Sequence, residues 1–244
     1  MNTNALIFDI ETIADVTEEN RATVTSMAKG RDQTPEEYAT FCPPLARVVC
    51  IAWYDLAAGT LGAVFDSTLP GGQANVGMVA MSVDDGSQVG LAVSYGGHSG
   101  EAELLRAFGA VVTQHFQRSN ALLVTYSGRG FDLPVLIHRS VKHDVAEGRP
   151  LLIKAARENR FNPRLHIDLL ETVTFYGASS RWPLAAYTVG YGHRSPKDDM
   201  DGSQVGAAIG AGRIIDVVRY CAGDVVATTH VYRRLAAAGL VPRE

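Results

Sequence analysis

Apolar runs of strand length crowd the first half of this chain, and helical periodicity takes over in the second. That order limits the folds open to it. Residues 4–11, rich in Ile, Leu and Phe, predict a first strand, and Arg47–Tyr54 (RVVCIAWY) predicts a second from its β-branched and aromatic residues. Residues 14–40 between them are polar, with helix-like pieces at Glu18–Met27 and Pro35–Tyr38. From Asp55 to Gly97, nine of the 24 glycines separate short apolar runs. There MVAMSV and VGLAVSY flank DDGSQ, which predicts a hairpin. The region reads as the antiparallel part of one sheet plus a glycine-rich excursion. Acids in the first turn open a helix from Ser99 to about Arg118. A short buried strand, ALLVTY (Ala121–Tyr126), precedes SGRGFDLP and a further helix. His166–Leu169 predicts the last strand, and a long helix runs from about Ile214 to Ala238. The succession is α/β, with an antiparallel portion early and crossovers later.

Bulk properties narrow the class without choosing a function. With 46% hydrophobic and 20% charged residues, 244 residues suffice for a sizeable core. A net charge of -4 gives no global signature of nucleic-acid binding, yet it leaves room for a local basic surface. Cys42, Cys50 and Cys221 are odd in number and scattered. They argue against a disulfide framework or zinc knuckle and fit a reducing compartment. The N-terminal apolar run is too short for a signal peptide or membrane span, so the expectation is a soluble cytoplasmic protein without a membrane partner.

Acids fall in three unexpected places. Asp9 and Glu11 interrupt the first strand, where an unpaired charge is costly. Residues i and i+2 share a strand face, so the two carboxylates point together while Phe8 and Ile10 point into the core. A divalent cation with oxygen ligands would offset their repulsion, and a solvated strand end would explain them equally well. Asp132, after a strand and at a helix start, is in isolation best read as a helix cap. Tyr220 and Asp224 are i and i+4 on the last helix and share a face.

Together the three places say more. D-x-E at the first strand, F-D after a later strand and Y-x-x-x-D on a late helix resemble motifs I, II and III of the DEDD 3′–5′ exonucleases, in their tyrosine-bearing branch. The histidine-bearing branch has His five residues before the last Asp, where Arg219 stands. FDIET, GRGFDLPVL and YCAGD look most like the predicted exonucleases related to the proofreading domains of family B polymerases, and SPKDDMDGSQV (Ser195–Val205) resembles that group too. The second motif usually carries Asn four residues before Phe; here it is Ser127.

The resemblance implies a ribonuclease H-like mixed sheet with flanking helices, folded as one domain over residues 1–244. It implies two divalent cations, Mg²⁺ or Mn²⁺, held by Asp9, Glu11, Asp132 and Asp224, with Tyr220 orienting the attacking water. Thr12, Ser127 and Phe131 become candidates for substrate contact, although for Phe131 filling the core beneath Asp132 is the better reading. The expected activity is 3′–5′ hydrolysis of single-stranded DNA to 5′-nucleoside monophosphates. The same chemistry on RNA or short oligonucleotides is the near alternative. A catalytically weak nucleic-acid-binding or polymerase accessory module is the alternative of another class. A polymerase or repair partner is left unnamed by the sequence.

Outside the motifs, residues 138–164 are locally basic, with Arg139, Lys142, Arg149, Lys154, Arg157, Arg160 and Arg164 against three acids. They read equally as a path for a phosphate backbone or a solvated loop. GAAIGAG (Gly206–Gly212) lacks the preceding strand and G-K-[ST] of a phosphate loop and reads as a turn between helices. Asp168, at a strand end, reads as structural.

Overall fold

The computed structural model describes residues 4–72, 77–82, 90–193 and 200–241. Strands β1 (Asn4–Ala14), β2 (Ala46–Asp55), β3 (Thr60–Asp66), β4 (Gly77–Ser82), β5 (Gly90–His98), β6 (Ala121–Thr125) and β7 (His166–Asp168) form one sheet, in the order β4-β5-β3-β2-β1-β6-β7. Helices α1 (Arg21–Ala28) and α2 (Pro35–Thr40) lie between β1 and β2, and α3 (Glu101–His115) follows β5. Helices α4 (Asp132–Lys142) and α5 (Arg149–Arg157) join β6 to β7. After β7 come α6 (Leu169–Val173), α7 (Leu184–Gly190), α8 (Val205–Gly210) and α9 (Ile214–Ala237). Among the described residues no helix is long and apolar enough to cross a membrane.

The sheet is mixed, as expected. β1–β2 and β2–β3 are antiparallel, whereas β6 runs parallel to both β1 and β7. β4 and β5 pair antiparallel as the hairpin reading requires, although its turn, DDGSQ, lies outside the described residues. One pairing departs from expectation: β3 and β5 are parallel, with Leu61 opposite Val93. The chain crosses to the sheet edge for β4 and returns inside it as β5, and short-range periodicity cannot encode that crossing. GAAIGAG is also more ordered than a turn, since its first residues belong to α8.

Alternation along β1 sorts the core into two faces. Leu6, Phe8 and Ile10 pack with Leu104 and Phe108 of α3 and with Leu133 and Leu136 of α4. The Phe8 and Phe108 rings lie 5.3 Å apart. Ala5 and Ile7 face the opposite side, against Val217, Val218, Cys221 and Val225 of α9. Each such valine, leucine, isoleucine or phenylalanine side chain, fully buried, contributes about 1.5–3 kcal/mol. Asp9 and Glu11 continue the second set, so the same period that seats the core aims both acids at α9.

An ionic knot ties these layers behind the sheet. Arg139 on α4 is 1% exposed and donates through Nε to Glu101 of α3 at 2.7 Å, through a second nitrogen to the same carboxylate, and to the Pro44 carbonyl at 2.8 Å. It also meets Asp15, just past β1, at 2.7 Å. Glu101 accepts from the Val48 amide at 2.8 Å, beside the β-bulge between Glu11 and Thr12. Although Asp15 is partly buried, Lys142 and Arg139 hold its carboxyl below the usual range. Arg139 is thus a buried structural cation on a helix, which corrects both readings of it, as part of a phosphate path and as part of a solvated loop.

Candidate active site

β6 pairs with β1 only as far as Val124 opposite Ile7, so β1 runs on beyond the end of its neighbour. Past that end the Ile10 amide donates to the Asp132 carboxylate. Ligands in such sheets gather at the carboxyl ends of parallel strands, and the acids gather there too. Asp132 does not act as a cap: Phe131 is the N-cap of α4 and makes no side-chain capping bond. Asp132 is instead the first helical residue, 4% exposed. A Cβ on Gly128 would fall 2.6 Å from Asp132 Oδ2 and 2.5 Å from Thr125 Oγ1, so only glycine lets the loop pass so close to the carboxylate.

The four expected carboxylates converge. Asp9, Glu11 and Cys221 place one donor atom each within 4.8 Å of one another. Burial, then repulsion from Asp132, Glu11 and Asp224, pushes the Asp9 carboxyl well above its ordinary 3.8. Burial above all, with repulsion from Asp168, pushes Asp132 up to about 7, against the lowering hydrogen bonds from its own amide and from Ile10. The leading influences on Asp9 all disfavour its charge, which is the electrostatic condition a divalent cation relieves. This oxygen-rich set fits Mg²⁺ or Mn²⁺. On α9 the Tyr220 hydroxyl is hydrogen-bonded to Asp224; burial and the charges of Asp224, Glu11 and Asp9 push the phenol far above its ordinary 10.

The remaining candidates have defined places. Thr12 is buried, and its hydroxyl reaches the Thr40 carbonyl at 3.4 Å. The next residue, Phe41, is 66% exposed, with its ring 6.1 Å from that of Phe131. Ser127 sits at φ 68°, in the left-handed region. Asn tolerates that region better than Ser, which gives a conformational reason for the residue the resemblance leads one to expect. Ser127→Asn is expected to stabilise the fold by about 0.5–1 kcal/mol, a rise of about 1–4 °C in thermal midpoint. An unchanged or lower midpoint counts against this account of Ser127.

Asp168 proves structural, as read, and its task is specific. Its carboxylate accepts from the amides of Ser127 at 2.9 Å, Arg129 at 3.0 Å and Leu170 at 2.9 Å, clamping the loop that leads to Asp132. Arg129 adds an ion pair with Glu171 at 3.0 Å. The sequence reading missed two residues beside the acids. Cys221 Sγ lies 3.4 Å from the Asp9 carbonyl, and Cys50 stands opposite Glu11 with its free thiol hydrogen-bonded to that of Cys221. Their only signal was position: Cys221 follows Tyr220, and Cys50 lies in the central strand that pairs with β1. Gly202 lies beside the Tyr220 hydroxyl, which a Cβ at that position would approach to 4.0 Å. The preceding residues 194–199 lie outside the described residues.

Comparison with known proteins bears on the family and the fold. The profile of a family described as predicted 3′–5′ exonucleases related to the exonuclease domain of PolB matches residues 73–239. The chain belongs to this family. The match spans Asp132, Tyr220 and Asp224, while Asp9 and Glu11 precede it and are joined to them by the fold. A similar solved structure is the family B DNA polymerase from the hyperthermophilic archaeon Pyrobaculum calidifontis. The TM-score is 0.57 and identity 17%, covering 98% of this chain and 25% of the polymerase. The chain therefore spans a quarter of that polymerase, and the likeness shows a shared fold, the mixed ribonuclease H-like sheet. No curated protein matches the chain by sequence.

Proposed function

We propose that this family member is a metal-dependent 3′–5′ exonuclease that hydrolyses single-stranded DNA from its 3′ end and releases 5′-nucleoside monophosphates. One observation carries the reading: Asp9 is buried among carboxylates from β1, α4 and α9, and burial first, then their repulsion, raises its pKa. Asp9, Glu11, Asp132 and Asp224 are the residues that would hold two divalent cations. When bound, such ions lower the pKa of water and neutralise charge on the leaving oxygen. Tyr220 keeps its proton at neutral pH, so its hydroxyl orients the attacking water and does not act as a base. Asp224 fixes that hydroxyl by hydrogen bonding. Phe131 and the neighbouring Phe41 offer ring faces to the terminal base, and Thr12 supports them by bonding to Thr40. Ser127 holds the motif loop through its amide and leaves its hydroxyl for substrate.

Release of mononucleotide from a 3′-end-labelled single strand with Mn²⁺ tests the reading. Turnover supports it; tight strand binding without turnover would favour the binding-module class. An RNA strand of the same sequence, run in parallel, decides the sugar preference. Tyr220→Phe is expected to lower kcat by about 100-fold through misplacement of the water, with Mn²⁺ affinity by calorimetry unchanged. A fall in Mn²⁺ affinity instead would make Tyr220 a structural residue.

A further inference from the structure

Beyond Glu171 the surface carries aromatic rings where a soluble fold has little reason to show them. Phe161 is 66% exposed, Phe175 62% and Tyr176 37%. The Phe161 and Tyr176 rings lie 4.9 Å apart, and the Arg160 guanidinium sits 5.5 Å from the Phe161 ring centre. Phe175 and Tyr176 occupy left-handed backbone at φ 49° and 57°, a conformation bulky residues rarely adopt. The loop bearing Phe161 is firmly anchored. Glu158 accepts from the amides of Arg164, Leu165 and His166 and so fixes the base of the loop.

Charge and position suggest what covers these rings. Residues 149–164 hold five cations and one acid, and that acid, Glu158, is engaged with backbone amides. Lys154, Arg157 and Arg164 are exposed and line a neighbouring groove of about 670 Å³. The patch is also continuous with the candidate active site. Glu171 pairs with Arg129 of the motif loop through one oxygen and with Arg160 through the other, each at 3.0 Å, and its carbonyl accepts from the Tyr176 amide at 2.7 Å. From Asp168, which clamps that loop, the five residues of α6 lead to Phe175 over about 7–8 Å of helix.

The geometry points to a strand-holding surface. Phe161 and Tyr176, flanked by Arg160, stack the bases of a single-stranded nucleic acid upstream of its 3′ end, while Lys154, Arg157 and Arg164 pair with its phosphates. Stacking platforms beside a cationic groove are the physical solution for sequence-tolerant strand binding. The inference rests on the nuclease reading only for the direction in which the strand runs.

Equilibrium binding in chelator tests the surface separately from turnover. Fluorescence anisotropy compares a fifteen-nucleotide and a three-nucleotide oligothymidylate, each 5′-labelled. Wild type is expected to prefer the longer strand by at least about tenfold. Phe161→Ala with Tyr176→Asn, the latter suited to left-handed backbone, should cut that preference several-fold and leave the part that phosphate pairing supplies. Arg157→Ala with Arg164→Ala should lower the slope of log affinity against log salt by about 1.4, two phosphates at about 0.7 each, and this arm stands even if the ring variant fails to fold. An undiminished length preference in a folded ring variant, or an unchanged salt slope, overturns the proposal and leaves the patch to a protein partner. If strand binding behaves as expected while wild type with Mn²⁺ releases no nucleotide, the surface stands and the nuclease reading falls.

Discussion

Asp9→Asn is expected to lower nucleotide release by at least about 10³-fold, the several kcal/mol of charge stabilisation lost when a central ligand goes. Its effect on the metal-free fold should be the opposite. The Asp9 and Asp132 carboxyls sit above their ordinary value of 3.8 in the folded state. Between that value and the folded one, about 7 for Asp132, the folded protein holds protons that the unfolded chain has released. The contribution of these two carboxyls to stability in chelator is therefore greatest near pH 4 and falls as the pH climbs to 7, while buried His166, held neutral in the fold, contributes in the opposite direction. Asp9→Asn removes one repelling charge, so in chelator at pH 7 its thermal midpoint should exceed that of wild type. Added Mn²⁺ should raise the wild-type midpoint more than that of the variant. Nuclease activity within tenfold of wild type, or a midpoint gain of Asp9→Asn over wild type in chelator that does not grow with pH over this window, counts against Asp9 as the centre of a carboxylate metal site.

The second large effect lies behind the sheet. Arg139→Ala leaves Glu101, 5% exposed, without its bidentate partner, although the Val48 amide and His143 still reach it. Removing one member of a buried pair costs about 3–5 kcal/mol, a drop of roughly 6–20 °C in thermal midpoint. Arg139→Met combined with Glu101→Leu should cost less than Arg139→Ala alone, because no buried charge is stranded. A double variant less stable than the single would mean that the knot contributes net stability as an ion pair. The knot bears on function because it joins the end of β1, the bulge opposite Glu11, and α4, which begins with Asp132. A loosened knot thus spreads the acids as well as weakening the fold.

Arg139 also shows where sequence reading stops. In the chain it is one of seven cations between residues 138 and 164, and nothing local separates it from Arg157 or Arg164. Its partners Glu101 and Asp15 lie 38 and 124 residues away, so only folding reveals that it is buried. Asp168 was legible as structural from its strand end, but not as the clamp on the Ser127 and Arg129 amides. The parallel pairing of β3 with β5 was hidden for a related reason: a hairpin signal reports its own two strands and not their next neighbour.

By itself the sequence determined the α/β succession, the aim of Asp9 and Glu11 on one face of β1, and the common face of Tyr220 and Asp224. These follow from periods of two and of 3.6, which are properties of neighbouring residues. The tertiary structure alone decided that those two faces meet, that Asp132 leaves its capping role to join them, and that Cys50 and Cys221 pack beside the acids. Those outcomes depend on strand order, register and helix crossing, which are fixed by burial summed over the whole chain and not by any one segment.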